Sequence, residues 1–239
     1  MNAWRQLPVP AALRGWVDGI DLPSHRGGDS CPIIHVPDPA TTLVWRVRAD
    51  GDAAVLAAGP RTHATYYDAK DIPRCVRFRL APGAARALLG MSVDEITDRV
   101  VPLDELWGPL DPRRVGRLTA ALSARVEATS RRDRSTAHLV RRASIALGRS
   151  RVPEVAREVG VSERHLRNVF TRTVGLPPQQ FVRINRVRAV LPRLRRDSWA
   201  GLAGSVGFYD QSHMISQFRA VMHVTPSAFA AGRLPTVAC

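Results

Sequence analysis

The C-terminal part of the chain writes one pattern twice: a short helix, a turn opened by glycine, and a longer helix with one apolar and one polar face. In the first copy Val155, Ala156 and Val159 share the inner side of a helix predicted over 152–160. Gly160-Val161-Ser162 then supplies a tight turn ending in a serine cap. The second helix, over 163–173, gathers Leu166, Val169 and Phe170 on its apolar face, while Arg164, Arg167, Asn168 and Thr171 fall at i, i+3, i+4 and i+7 on the other. In the second copy a helix over 199–206 leads into Gly207-Phe208-Tyr209, Asp210 is the cap, and residues 211–222 turn Met214, Phe218, Val221 and Met222 inward. Gln211, Ser212, His213, Ser216 and Arg219 occupy the opposite face. One such pair is what any helical hairpin shows. Two of them, joined by a helix predicted over 178–196, make an all-α domain of two helix-turn-helix units. At about 1.5 Å per residue the joining helix measures roughly 28 Å, almost one turn of duplex DNA.

Charge separates the same region from the rest. Residues 135–239 hold 16 arginines against Glu154, Glu158, Glu163, Asp197 and Asp210, so +11 of the chain's formal +14 lies there. Such a surplus favours a polyanion, nucleic acid or an anionic membrane surface, over the alternative of a merely solvated basic face. With 45% hydrophobic and 23% charged residues over 239 positions, the chain is neither disordered nor of low complexity, and it can fill one large or two small cores. Cys31, Cys75 and Cys239 are too few and too scattered for a disulfide framework. Arg5, Pro8, Pro10, Arg14 and Asp18 interrupt the N-terminus, unlike an export signal, and no run approaches the roughly 18 apolar residues of a membrane span. A cytoplasmic protein without a membrane partner is expected.

Gly207-Phe208-Tyr209-Asp210-Gln211-Ser212-His213-Met214-Ile215-Ser216-Gln217-Phe218, followed by Thr225-Pro226, resembles the C-terminal signature of the AraC-type transcriptional regulators, Gly-Phe-x-Asp-x-Ser-x-Phe-x-x-x-Phe and then Thr-Pro. Ala156, Gly160, Ser162, Leu166, Phe170 and Gly175 stand where that family places the alanine, turn glycine, cap serine, leucine, phenylalanine and closing glycine of its first unit. The resemblance spans residues 137–233 and implies a bacterial transcription regulator, neither an enzyme nor dependent on a cofactor. Its two longer helices would enter adjacent major grooves of double-stranded DNA, with RNA polymerase as a further partner if it activates. Carried over position by position, the base-facing residues are Arg164, Arg167 and Asn168, with Thr171 on the same stripe, and Gln211, Ser212, His213 and Ser216 in the second unit. The chemistry agrees, since Arg pairs with guanine O6 and N7, and Asn or Gln with adenine N6 and N7. Arg219, Arg183, Arg186 and the helix N-termini at Ser162 and Asp210 suit phosphates. Met214 replaces an aromatic, His223-Val224 replaces a glycine before Thr-Pro, Gly201 and Gly204 weaken their helix, and Pro192 interrupts the joining helix. The second unit is therefore expected to read DNA more loosely than the first.

Upstream the period changes to two. Trp45 and Val47 alternate with Arg46 and Arg48, and Val76, Phe78 and Leu80 with Arg77 and Arg79, the mark of half-buried antiparallel strands. With turns at 50–52, 59–60 and 71–73, residues 1–110 read as a β-rich meander or barrel, a sensory or dimerisation domain by the same resemblance. Short helices are expected over 83–89 and 92–98, the latter with a capping box from Ser92 to Glu95. Residues 111–134 then read as a helix over 111–128, striped by Val115, Leu118, Leu122 and Val126, and a linker that runs into a polar break at 130–135, before the double unit of 135–239. The fold class is thus α+β. Trp45, Tyr66, Tyr67, His35 and His63 are candidate walls of a small-molecule effector pocket, though core and surface positions suit most of them as well. The stripe of Val115, Leu118, Leu122 and Val126 is a candidate homodimer seam or simply core. Cys31, His25, His35 and His63 match no zinc spacing, so no metal is expected. The competing function is a DNA repair alkyltransferase using Cys75, whose neighbours Arg74 and Arg77 would favour a thiolate, but Cys75 lacks the Pro-Cys-His-Arg context of those enzymes.

Overall fold

Alternation in β7 (Arg74–Leu80) buries Val76, Phe78 and Leu80 on one side and leaves Arg77 and Arg79 on the other, and this strand becomes the middle of the N-terminal sheet. The computed structural model describes residues 4–23, 33–67 and 74–237. Before β7 come β1 (Trp4–Leu7), β2 (Val17–Pro23), β3 (Ile33–His35), β4 (Thr42–Val47), β5 (Ala53–Ala58) and β6 (Thr65–Tyr67); β8 (Val100–Pro102) follows it. Six strands pair antiparallel in the order β1-β2-β7-β4-β5-β8, while β3 and β6 form a separate two-stranded ribbon. Neither a meander nor a closed barrel results. β7 returns between β2 and β4 because that register sets Phe78 beside Ile20 and Leu43 on one continuous apolar face. The turn expected at 71–73 lies outside the described residues, as do Cys31, His25 and Cys239.

Helices cover that face: α1 (Ala84–Leu89), a 3-10 turn over Val93–Ile96, α2 (Asp104–Trp107) and α3 (Val115–Ala128). Leu88, Val93, Ile96, Leu118 and Leu122 are buried in one core with Leu43, Phe78 and Leu80. The stripe on α3 therefore closes the core of its own chain and offers no dimer seam. Its helix starts at Val115, later than expected, because the Trp45 indole takes the Pro112 carbonyl (2.6 Å) and Asp111 bonds the Arg113 amide. The capping box at Ser92 does not form; the hydroxyl donates to Asp94 instead (2.5 Å), and only the 3-10 turn follows.

The C-terminal half is helical throughout: α4 (Arg131–Ala146), α5 (Val152–Glu158), α6 (Glu163–Val174), α7 (Pro178–Val190), α8 (Trp199–Ser205), α9 (Gln211–Met222) and α10 (Pro226–Ala230). The polar stretch at 130–135 is the beginning of α4 rather than a break. Ser130 caps it by accepting from the Asp133 amide, and Arg134 donates to the Val126 and Thr129 carbonyls at the end of α3. The joining helix α7 stops at Val190 and passes into a 3-10 turn over Leu191–Arg193, since Pro192 has no amide to continue it. Its 13 residues span about 20 Å, shorter than the sequence suggested.

The two halves interlock at both units. Around the first, Val140, Val155, Leu166 and Phe170 form the core. Around the second, Ile184, Leu202, Met214 and Phe218 pack with Ala64 and Tyr66 from the N-terminal half. The Ala64 amide donates to the Val221 carbonyl (2.9 Å), and the Tyr66 hydroxyl to the Met222 carbonyl (2.6 Å). On the first unit, the Thr97 hydroxyl donates to the Gly175 carbonyl (2.8 Å). Gly175 closes α6 at φ 85°, and a Cβ there would come within 2.6 Å of Pro60 and 2.9 Å of the Thr97 hydroxyl. Gly175→Ala is expected to destabilise the protein by about 2–4 kcal/mol, left-handed strain and steric overlap acting together, read as a lower urea midpoint at unchanged m. A midpoint equal to wild type would mean that the halves do not meet here.

Asp38 ties the sheet to α7. Its carboxylate accepts from Arg79 of β7, from Arg188 of α7 (3.1 Å) and from the Ala40 amide (2.9 Å), while Arg188 also donates to the Pro37 carbonyl (2.9 Å). Burial pushes the Asp38 carboxyl upward, but the Arg79 and Arg188 guanidinia and the Ala40 amide outweigh it and hold the group below the ordinary carboxylate value.

Candidate nucleic-acid interface

Helix α6 forms where the sequence gives it a cap at each end. Ser162 accepts from the His165 amide (3.2 Å), and Gly175 takes the left-handed closing position. Leu166, Phe170, Thr173 and Val174 are buried, which rolls Arg164, His165, Asn168 and Arg172 to the outside, all exposed. Arg167 and Thr171 sit on one flank, half-buried, and Arg167 is held by Glu163 (3.1 Å) one turn back. Of the four first-unit candidates, then, Arg164 and Asn168 stand at the centre of the outward face and Arg167 and Thr171 at its edge. His165 and Arg172 are outward residues that the single i, i+3, i+4, i+7 stripe passed over. Counting the face back from buried Phe170 and Thr173 would have found them.

Helix α9 repeats the arrangement. The Asp210 carboxylate accepts from the His213 amide (2.6 Å), and Met214, Phe218, Val221 and Met222 are buried. Gln211, Ser212, Ser216 and Arg219 are exposed. His213 is partly withdrawn into the turn: its ring meets Phe208 edge-on at 5.6 Å, and its Nδ1 accepts from the Tyr209 amide (3.3 Å). Tyr209, 91% exposed, projects from the turn itself, a position that only its place between Phe208 and Asp210 signals in the sequence. At the far end His223 takes the left-handed closing conformation at φ 57°, and its ring lies 4.9 Å from His63 of the N-terminal half. Arg186 lies against the Gly207 turn, and Arg183 on the same helix has its Nε enclosed without a hydrogen-bond partner among the described residues.

Beside α6 an open groove of about 720 Å³ runs between α1, α4 and α6. Arg86, Arg132, Thr136, His165, Asn168 and Arg172 line it, with Asp133 paired to Arg86 at 3.3 Å. The exposed arginines on these faces are of the charge that a polyanion attracts.

The remaining candidates are dispersed. Trp45 packs on the N-terminal core, Tyr66 is buried in the core of the second unit, Tyr67 meets His35 edge-on at 5.5 Å, and His63 meets His223, so these side chains do not wall one pocket. The Tyr66 hydroxyl, pushed up to about 12 by burial, serves as a neutral donor to the second unit. Cys75 is a half-buried strand cysteine: burial pushes its thiol up, and the opposing pull of Arg77 does not bring it down. That direction is opposite to the activation that the cysteine of an alkyltransferase needs. Among the described residues no three His, Cys, Asp or Glu side chains gather as a metal site, and no helix is long and apolar enough to cross a membrane.

Residues 155–232 match the family described as a helix-turn-helix domain. Among solved structures the chain is similar to a transcriptional regulator with an AraC-type DNA-binding domain from Chromobacterium violaceum, at 21% identity over 44% of this chain and 96% of that one, with a TM-score of 0.36. It is also similar to the C-terminal domain of AraT, a response regulator from Geobacillus stearothermophilus, at 20% identity over 41% and 88%, TM-score 0.37. A third similarity is to ToxT from Vibrio cholerae, at 10% identity over 84% and 94%, TM-score 0.42. No curated protein matches the chain.

Proposed function

We propose, from the match of residues 155–232 to a helix-turn-helix domain family and the likeness of their motif to that of the AraC-type regulators, that the chain is a DNA-binding transcriptional regulator which reads one duplex with α6 and α9 in adjacent major grooves. One observation carries the reading: both helices are capped at their N-termini, buried along one face and exposed along a face of Arg, Asn, Gln and Ser side chains. In the duplex Arg164 and Asn168 make the bidentate base contacts of the first unit, with Arg167 and Thr171 at its margin; Gln211 does so in the second, with single hydrogen bonds from Ser212 and Ser216 and with His213 beside them. Arg219, Arg183 and Arg186 hold phosphates and fix register. Selection by the full chain from a random duplex pool is expected to enrich one sequence with two subsites about 10 bp apart. A pool that stays random through repeated rounds would remove the reading.

Neutralising Arg219 tests the division of labour. Arg219→Ala is expected to weaken selected and scrambled duplexes alike and to reduce the slope of log K against log salt by about one. A loss confined to the selected duplex would make Arg219 a base reader instead.

The N-terminal half serves as a sensory or dimerisation unit. Its Tyr66, Ala64 and Thr97 touch both readers, so a small effector bound there shifts how the two are placed relative to each other. Cytoplasmic location, and contact with RNA polymerase if it activates, complete the proposal. It requires no cofactor and no catalytic residue.

A further inference from the structure

We infer that the DNA-contacting surface extends beyond the two helix-turn-helix units: the groove between α1, α4 and α6 seats the phosphodiester backbone beside the base pairs that α6 reads, with Arg86 and Arg132 as phosphate-binding residues. The inference rests on the proposed function. An α-helix with its side chains is about 10–12 Å across and the major groove about 12 Å wide, so a helix lying in that groove has a phosphate wall directly on each side. On one side of α6 the wall meets this groove, because Asn168 and Arg172 belong both to the outward face and to the groove lining.

The charges there suit a phosphate chain. Arg86, Arg132 and Arg172 face a single carboxylate, Asp133. Among the described residues the Arg132 and Arg172 side chains have no hydrogen-bond or ion-pair partner. The Arg86–Asp133 pair is about two-fifths exposed at both ends, the kind of surface pair that a phosphate readily replaces. The groove is open, as a polymer strand passing through requires, and Arg86, Arg132 and Arg172 stand along it. Arg86 belongs to the N-terminal half, so the half that reports an effector also touches DNA. Any shift of α1 against α6 then changes affinity directly.

The test is a titration of the full chain against two fluorescent duplexes, the one it selects from a random pool and a scrambled one of equal composition, across a series of KCl concentrations. Arg132→Ala and Arg86→Ala are each expected to lower the salt slope by about 0.9 and to weaken both duplexes by the same factor. Arg132→Ala breaks no contact within the protein, so its result does not depend on folding. Arg48→Ala, at an exposed strand end and carrying the same loss of charge, is expected to leave the slope unchanged. Asp133→Asn keeps the hydrogen-bonding side chain at Ser130 while removing the groove's negative charge, and is expected to tighten both duplexes by about threefold. Slopes for Arg132→Ala and Arg86→Ala equal to wild type overturn the inference and leave the proposed function standing. Salt-independent or absent binding by the wild-type chain overturns both.

Discussion

Arg164→Ala combined with Asn168→Ala is expected to weaken binding to the selected duplex by about 2–6 kcal/mol, with a far smaller loss on scrambled DNA. The magnitude is that of two bidentate base contacts at about 1–3 kcal/mol each. The choice of residues comes from the roll of α6, which places these two at the centre of the outward face. Arg167, although on the same sequence stripe, is turned toward Glu163 at 3.1 Å and must leave that partner to reach a base. Its replacement by alanine should therefore lose less, about 1 kcal/mol. Anisotropy titrations on both duplexes separate the cases. Equal losses on selected and scrambled DNA would assign Arg164 and Asn168 to phosphate, and a larger loss for Arg167→Ala would mean that α6 docks on its flank.

Asp38→Ala is expected to remove about 3 kcal/mol of stability. It leaves the Arg79 and Arg188 guanidinia, each less than a third exposed, without their shared carboxylate between the sheet and α7. The pH dependence follows from the direction of the shift. Asp38 is held below its ordinary value in the folded state, so its contribution is fully present above the unfolded carboxylate pKa of about 4 and fades as pH falls through the lower folded value. Wild type should accordingly lose stability below about pH 4 more steeply than Asp38→Asn, measured by urea unfolding at stepped pH. Parallel curves would show that Asp38 does not carry the link between the halves.

What the sequence disclosed was what is local. The caps Ser162 and Asp210, the turn glycines, and the buried Leu166, Phe170, Met214 and Phe218 lie within a few turns of one another, so periodicity alone located both reading helices. The strands with clean alternation, β4 and β7, were legible for the same reason. Their neighbours were not, because the place of β7 between β2 and β4 is decided by residues about sixty positions apart that share a face only after folding. Polar composition misled at 130–135, where serine capping and arginine bonds to the end of α3 make a helix start out of an apparent break. Tyr66 was a pocket candidate because nothing near it in sequence announces a carbonyl at Met222. The groove at α6 was invisible for the same cause: Arg86, Arg132 and Arg172 come from three separate helices.

The most direct measurement is a spacing experiment on the selected duplex. Inserting five base pairs between its two subsites rotates one by about half a turn away from the other, and α6 and α9, held in one chain by α7 and by the N-terminal half, cannot follow. Affinity should fall to that of a duplex keeping only the first subsite, and hydroxyl-radical protection over the second should vanish. Unchanged affinity with both footprints intact would contradict the account, since the two helices would then not be reading neighbouring grooves from one rigid frame.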